Sequence, residues 1–175
     1  MSLLKTVPPD QAEGDVEAAY SFFVNGGMPV PKPLEMTSVS PGLIKIQKQI
    51  LDYFMNHPTL GFPLLSLIRY LVAKQYKYEF CTGFNYNFLK MQGMEDADID
   101  KLVEQPETAP IEDKDKAMLL FVLKALKTPE APSQEDMDAL HEMGWTDNDI
   151  YDAVFHGAGM IAPSFMMKAF KMDSC

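Results

Sequence analysis

The amino-acid sequence predicts an all-α fold in a single domain covering residues 1–175. Apolar residues recur at helical spacing in segment after segment, and the alternating pattern of a β-strand is nearly absent. No internal repeat and no low-complexity linker divides the sequence. With 175 residues, of which 47% are hydrophobic and 23% charged, the chain is long enough to bury a sizeable core.

The chain begins with a predicted helix and a proline-rich segment. The helix is expected from about Asp10 to Phe23, and it ends at Asn25-Gly26-Gly27, where a positive φ costs little. The segment Pro29–Pro33 is expected to be a stiff, extended arm, because its alternating prolines remove backbone donors and restrict their neighbours.

Two predicted helices follow, each opened by a proline. Ser40 is the expected N-cap of a helix that starts at Pro41, ends at His57-Pro58 and carries an apolar stripe of Leu43, Ile46, Ile50 and Phe54. Pro63 opens the next helix, which runs from Leu64 to about Lys74. Its wide apolar face predicts a place in the core.

The second half contains further predicted helices. One runs from near Glu79 to Gly93, a short acidic one from about Asp96 to Val103, and an amphipathic one from Lys114 to Leu126. Two capping boxes then mark helix starts, namely Ser133-x-x-Asp136 and Thr146-x-x-Asp149. The final helix is expected from Asp147 towards Lys168, with Pro163 kinking or breaking it.

Charge and cysteine content restrict the function classes. With 25 acidic and 15 basic residues the net charge is −10, so nucleic acid and anionic membrane are not expected partners. No apolar run is long enough for a membrane span. Two cysteines 94 positions apart form no disulfide framework, and the first residues do not resemble a signal peptide, so we expect a cytoplasmic protein.

Neither a metal nor a cofactor is expected. His141 and His156 are 15 residues apart and lack partner ligands at metal spacing. The segment Gly157–Ala162 matches G-x-G-x-x-A, but it lies in a helical pattern with no preceding strand. Close helix packing explains these glycines better than dinucleotide binding does.

Cys81 lies among aromatic residues in YKYEFCTGFNYNF. A helix starting near Glu79 places Tyr78, Cys81 and Asn85 on one face in consecutive turns. The positive helix terminus and Lys77 would favour a thiolate, whereas burial among the aromatic rings would favour an inert thiol. From these residues both outcomes stay open.

The order of several segments resembles a known family. These are VPPDQAEGDVEAAY, PVPKPLEMTSVSPGLIKIQ, the helix before YEFC, and LHEMGWTDNDIYDAVFHGAG. Together they are similar to the carboxymuconolactone decarboxylase family, on its AhpD-like alkylhydroperoxidase side. The resemblance extends from about Val7 to Lys168. It implies an all-α domain with a helical-hairpin core, assembled as a homo-oligomer.

The resemblance also implies a redox site, which this chain retains only in part. Peroxidase members use a CxxC at a helix start, a histidine four residues later and a glutamate about four turns earlier. Here the second cysteine is Cys81, while the other three positions correspond to Tyr78, Asn85 and Ser66. Without a second thiol or an imidazole, the dithiol cycle cannot run in its usual form.

Three functions follow as hypotheses. The first is a single-cysteine thiol peroxidase in which Cys81, assisted by Asn85 and Glu79, reduces a small hydroperoxide with an external thiol. In this scheme the terminal Cys175 is an alternative resolving thiol. The second is a non-catalytic module that binds a small apolar ligand in a cavity walled by Tyr78, Phe84, Asn85 and the Met-rich tail. The third is a non-redox enzyme acting on a small apolar acid or lactone, with Glu79, His156 or His141 as proton shuttle.

Overall fold

Helices form the secondary structure of the chain, as the apolar spacing predicts. The computed structural model describes residues 2–172, and no β-strand occurs within that range. The helices, numbered in chain order, are α1 (Gly14–Asn25), α2 (Lys32–Thr37), α3 (Pro41–Met55), α4 (Phe62–Gln75), α5 (Glu79–Met91), α6 (Asp96–Lys101), α7 (Asp113–Lys127), α8 (Gln134–Glu142), α9 (Asp147–Ala158) and α10 (Ile161–Ala169). Short 3-10 turns cover Pro9–Gln11 and Pro106–Thr108.

The described residues form two compact units. One is Pro58–Ala162, and the other contains the described residues up to His57 and those from Pro163 onward. Folding as a single domain stays a prediction. Between residues 2 and 172, no helix combines the length and the apolar character needed to cross a bilayer.

Helix α4 is the centre of the Pro58–Ala162 unit. Most of its side chains are buried, because it packs against α5, α7 and α9 at once. Its buried apolar residues include Leu64, Leu65, Leu67, Ile68, Leu71 and Val72. The predicted core role of this helix is therefore confirmed.

Helices α4 and α5 form an antiparallel hairpin joined by residues 76–78. The Phe62 ring at the start of α4 contacts the Phe88 ring near the end of α5. Further along α4, Arg69 contacts Asn85 in the middle of α5, so the two helices run in opposite directions. Lys77 in the turn has a φ of 53°, which lets the chain reverse over so few residues. The hairpin core that the resemblance implied is present.

Helix α9 packs against α4 and α7 through a glycine. A Cβ atom on Gly157 would lie 2.7 Å from Leu126 Cδ1, 3.1 Å from Val122 Cγ1 and 3.2 Å from Ile68 Cγ2. These distances confirm close helix packing as the reason for the glycine. Both predicted capping boxes are also confirmed, because the side chains of Ser133 and Thr146 accept hydrogen bonds from the backbone N–H three residues on.

In the other unit, α1 and α2 pack against α3. Helix α1 starts at Gly14 rather than Asp10, after the 3-10 turn, and it buries Val16, Ala19 and Phe23. The Tyr20 hydroxyl donates to the Val7 carbonyl oxygen at 3.0 Å, and the Val7 N–H donates to Ser38 Oγ at 2.8 Å. These bonds hold the N-terminal segment to the helices.

Two local predictions are wrong, and a third, the Ser40 cap, holds only in part. Residues 29–33 are not wholly extended, because α2 begins at Lys32 and accommodates Pro33 in its first turn, where a missing N–H is harmless. The last helix breaks at Gly159 and not at Pro163, which lies in the first turn of α10. Ser40 precedes α3 as predicted, but its side chain makes no capping hydrogen bond.

The predicted apolar stripe of α3 is also wrong in part. Ile44 and Phe54 are buried, whereas Leu43 and Ile46 are 56% and 51% exposed. Helix α3 carries apolar residues on two sides, and α1 and α2 cover the side that includes Ile44. Helical spacing alone could not indicate which side would be covered.

Candidate functional site

The α4–α5 hairpin places Cys81 in the first turn of α5, on the side that faces α4. The Cys81 side chain is buried, and Asn85, one turn later on the same face, has no exposed surface. The Asn85 Nδ2 amide donates to the Cys81 carbonyl oxygen at 2.7 Å. The structure therefore brings together two of the three predicted site residues.

Arg69 of α4 completes this cluster. Its Nε donates to Asn85 Oδ1 at 2.9 Å, and its charge acts on the Cys81 sulfur. Burial lowers the pKa of Arg69, but an arginine side chain in a protein stays protonated at ordinary pH. Sequence reasoning missed this residue, although one feature indicated it: Arg69 is the only arginine in the chain and interrupts a strongly apolar helix.

The pKa of Cys81 reflects a competition in which burial is the larger effect. Removal from water raises the pKa of the thiol, and with all effects together the pKa of Cys81 is about 11. The Arg69 charge and a hydrogen bond from the Tyr78 side chain act in the opposite direction and offset only part of that rise. At neutral pH Cys81 is therefore a protonated thiol.

Glu79 does not join the cluster. It is the first residue of α5 and is exposed, and its side chain makes no hydrogen bond or ion pair with any other described residue. Lys77 is exposed in the turn before it, and the cation that acts on the sulfur is Arg69. Ser66, at the position corresponding to the family's glutamate, is buried and donates to the Phe62 carbonyl oxygen at 2.8 Å.

Aromatic rings line one side of α5 next to this cluster. Phe80, Phe84 and Phe88 follow one another at intervals of one turn, with ring centroids 6.5 and 5.0 Å apart. The Phe88 ring also meets Phe62 of α4 edge to face at 5.8 Å. All three α5 rings are half-buried.

The remaining candidate residues lie on other helices. His141 of α8 is exposed, and its Nε2 is 2.9 Å from Asp147 Oδ1. His156 is in the last turn of α9. Within residues 2–172, no group of three or more His, Cys, Asp or Glu side chains is arranged to hold a metal ion. Cys175 lies outside the described residues.

Two solved structures have the same arrangement of helices. One is described as an alkylhydroperoxidase AhpD core, an uncharacterized peroxidase-related protein from Ralstonia eutropha JMP134. It superposes with a TM-score of 0.78 over 98% of this chain and 90% of its own, at 19% identity. The other is an uncharacterized peroxidase-related protein from Silicibacter sp. TM1040, with a TM-score of 0.75 over 97% and 90% of the two chains, at 18% identity.

The protein has the AhpD-like fold. The predicted all-α fold class is thereby confirmed, and Cys81, Asn85 and Arg69 lie on the facing helices of the hairpin in this AhpD-like fold. No protein-family model matches the sequence, and neither does any curated protein sequence.

Proposed function

We propose that this protein is an AhpD-like member of the carboxymuconolactone decarboxylase family that reduces small hydroperoxides at Cys81 with an external thiol. One observation carries the proposal: the half-buried Arg69 guanidinium is held by Asn85 beside a sulfur at the position that corresponds to the family's second redox cysteine. A fixed cation favours a thiolate over a thiol and also stabilises the negative charge that develops on a departing oxygen.

The reaction needs one cysteine and two molecules of external thiol. The Cys81 thiolate attacks the terminal peroxide oxygen, so that an S–O bond forms while the O–O bond breaks, and the alkoxide leaves as an alcohol after taking a proton. The sulfenic acid at Cys81 then reacts with one external thiol to give a mixed disulfide and water. A second thiol restores Cys81 and leaves as the external disulfide.

The environment of Cys81 sets the rate of this chemistry. With a pKa of about 11, only about one molecule in ten thousand carries a thiolate at pH 7. The side chain is 4% exposed, so a peroxide reaches it only when the start of α5 opens locally. We therefore expect slow turnover at neutral pH that accelerates as the pH rises towards 11.

The test measures peroxide consumption with dithiothreitol as donor and dimedone trapping of the sulfenic acid, at pH 7 and pH 9. Cys175→Ser is the background variant, and Cys81→Ser in that background is expected to lose both signals. Peroxide consumption that persists without Cys81, or a folded protein that never forms a dimedone adduct at pH 9, would contradict the proposal.

Arg69 is the positioning and charge-bearing residue of this scheme. Arg69→Met removes the cation, and the pKa of Cys81 then rises further, so we expect dimedone labelling at pH 9 to slow by about tenfold or more. Arg69→Lys keeps the charge and is expected to retain most of the rate. Equal rates in both variants, with thermal unfolding showing that both are folded, would exclude a role for the charge.

A non-catalytic binding module is the second candidate. The observation in its favour is that burial leaves Cys81 protonated at neutral pH. In this case the protein binds a small apolar ligand, and Cys81 is inert at every pH at which the fold persists. The same labelling experiment distinguishes the two functions, because an inert cysteine reacts only after unfolding.

Location and assembly complete the proposal. We place the protein in the cytoplasm, where thiol reductants are available. We also infer a homo-oligomer, because α3 exposes Leu43, Ile46 and Tyr53 at helical spacing on one side. A second copy is the simplest occupant of such a surface, in line with the assembly that the family resemblance implies.

A further inference from the structure

A cavity of about 540 Å³ opens in the Pro58–Ala162 unit between the last turns of α4, the segment after α6 and the second half of α7. It lies on a different face of α4 from Arg69, because residues 69 and 71 point about 200° apart around a helix. The cavity is therefore separate from the Cys81 cluster. Its volume falls within the range of small-molecule sites, roughly 300–1,000 Å³.

The inner wall of this cavity is apolar. Leu71 of α4 and Leu102 after α6 are almost fully buried, and Leu120 and Leu123 of α7 are half-buried. The Tyr76 hydroxyl donates to the Leu126 carbonyl oxygen at 2.5 Å, which ties the ends of α4 and α7 together beside the cavity. This wall is suited to the hydrocarbon part of a ligand.

The rim of the cavity is basic, although the chain as a whole has a net charge of −10. Lys74 of α4 and both Lys124 and Lys127 of α7 line it, together with one acidic residue, Glu104. Lys124 is paired with Asp136, whereas Lys74 and Lys127 form no ion pair with any other residue between 2 and 172.

The helix dipole explains why a lysine lies near the C-terminus of each helix, but it does not explain why these lysines surround one cavity. Cations near the last turn compensate the helix dipole, and both α4 and α7 follow that rule. Dipole compensation, however, does not require lysines from two helices to converge on one apolar cavity. Gln75 lines the same cavity, and its Nε2 is buried without an acceptor elsewhere in the described chain, which is unfavourable unless another partner is supplied.

We propose that this cavity binds a small monocarboxylate with an apolar body, its hydrocarbon part against the leucine wall and its carboxylate between Lys74 and Lys127. Gln75 supplies a further donor when its side chain turns towards the ligand. The proposal concerns a second site and does not depend on thiol chemistry at Cys81.

The experiment uses decanoate as the probe and 1-decanol as its uncharged counterpart, in isothermal titration calorimetry at pH 7 and low salt. We expect decanoate to bind, and its affinity to fall by about two- to fivefold in Lys127→Met and further in Lys74→Met/Lys127→Met. Added salt is expected to weaken decanoate binding, because it screens the lysine charges. Binding of 1-decanol is expected to be equal in the wild type and both variants.

Lys116→Met is the matched control. Lys116 also lies on α7, but it is paired with Asp113 and does not line the cavity, so its removal is expected to leave decanoate affinity unchanged. No decanoate binding to the wild-type protein would overturn the proposal, as would equal decanoate affinity in the wild type, the control and the double variant. Unchanged decanoate binding in Cys81→Ser is expected, which separates this site from the proposed peroxidase function.

Discussion

At the residue scale, the behaviour of Cys81 depends on which of two electrostatic effects is larger. The first turn of a helix and a nearby cation both favour the thiolate, and Arg69 supplies that cation. Burial of the Cys81 side chain favours the thiol, and it has the larger effect. The residue that we propose as the catalytic thiol is thus held in its unreactive protonation state.

The pKa of Cys81 predicts a specific pH dependence of alkylation. Only the thiolate reacts, so the rate of iodoacetamide labelling in the folded Cys175→Ser protein should rise about tenfold per pH unit from pH 7 to pH 10. The rise should level off only near pH 11, because the folded protein holds the pKa of Cys81 at about that value.

The control is the same protein unfolded in urea, where labelling should level off near pH 9, the ordinary range of a cysteine pKa. Mass spectrometry of the Cys81 peptide gives both rates. A folded-state rate that is already constant between pH 7 and pH 9 would show that Arg69 prevails over burial, contrary to the balance described above.

At the element scale, the approach of α9 to α4 and α7 depends on Gly157. A methyl group there would meet the branched side chains of Ile68 and Val122, which are buried, and that of Leu126, which is half-buried. Gly157→Ala should therefore lower the free energy of unfolding by about 1–3 kcal/mol, even though alanine favours a helix more than glycine does.

Gly83 is the matched control for this prediction. It lies inside α5, is exposed, and has no neighbouring atom within 4 Å of an added Cβ. Gly83→Ala should raise the free energy of unfolding by about 0.5–1 kcal/mol, because it reduces the freedom of the unfolded chain. Urea denaturation measures both variants, and destabilisation of equal size in the two would refute the packing argument.

At the scale of the whole molecule, the exposed side of α3 is the surface through which we propose that the protein self-associates. Leu43, Ile46 and Tyr53 are each about half exposed. A carboxylate in the middle of an apolar interface is strongly unfavourable, so Leu43→Asp/Ile46→Asp should convert the oligomer into monomers. Light scattering coupled to size-exclusion chromatography measures the mass of each form.

Tyr151→Asp is the control for self-association. Tyr151 is 69% exposed on α9 and lies outside the α3 surface, so its replacement should leave the oligomer intact. A monomeric wild-type protein, or dissociation of equal extent in both variants, would contradict the assignment of the interface to α3.

Local patterns identified the helices, and the family resemblance implied the hairpin, but the candidate site was identified only in part. The spacing around Tyr78, Cys81 and Asn85 correctly placed Cys81 and Asn85 on one face of α5. It could not identify Arg69, because that residue is twelve positions from Cys81 and approaches it only when the hairpin closes. The prediction of helix caps is limited in the same way. Ser40 and Thr146 both precede a helix, but only the Thr146 side chain makes the capping hydrogen bond.

By itself, the sequence determined that this protein is helical, where most of its helices lie, and that Cys81 has no second thiol or imidazole at the usual spacing. These properties depend on neighbours along the chain, through side-chain periodicity and turn chemistry. Only the tertiary structure decided which side of α3 is covered, that Arg69 lies beside Cys81, and that lysines from two helices surround one apolar cavity. Each of these depends on which helices meet, and burial and charge act through space rather than along the chain.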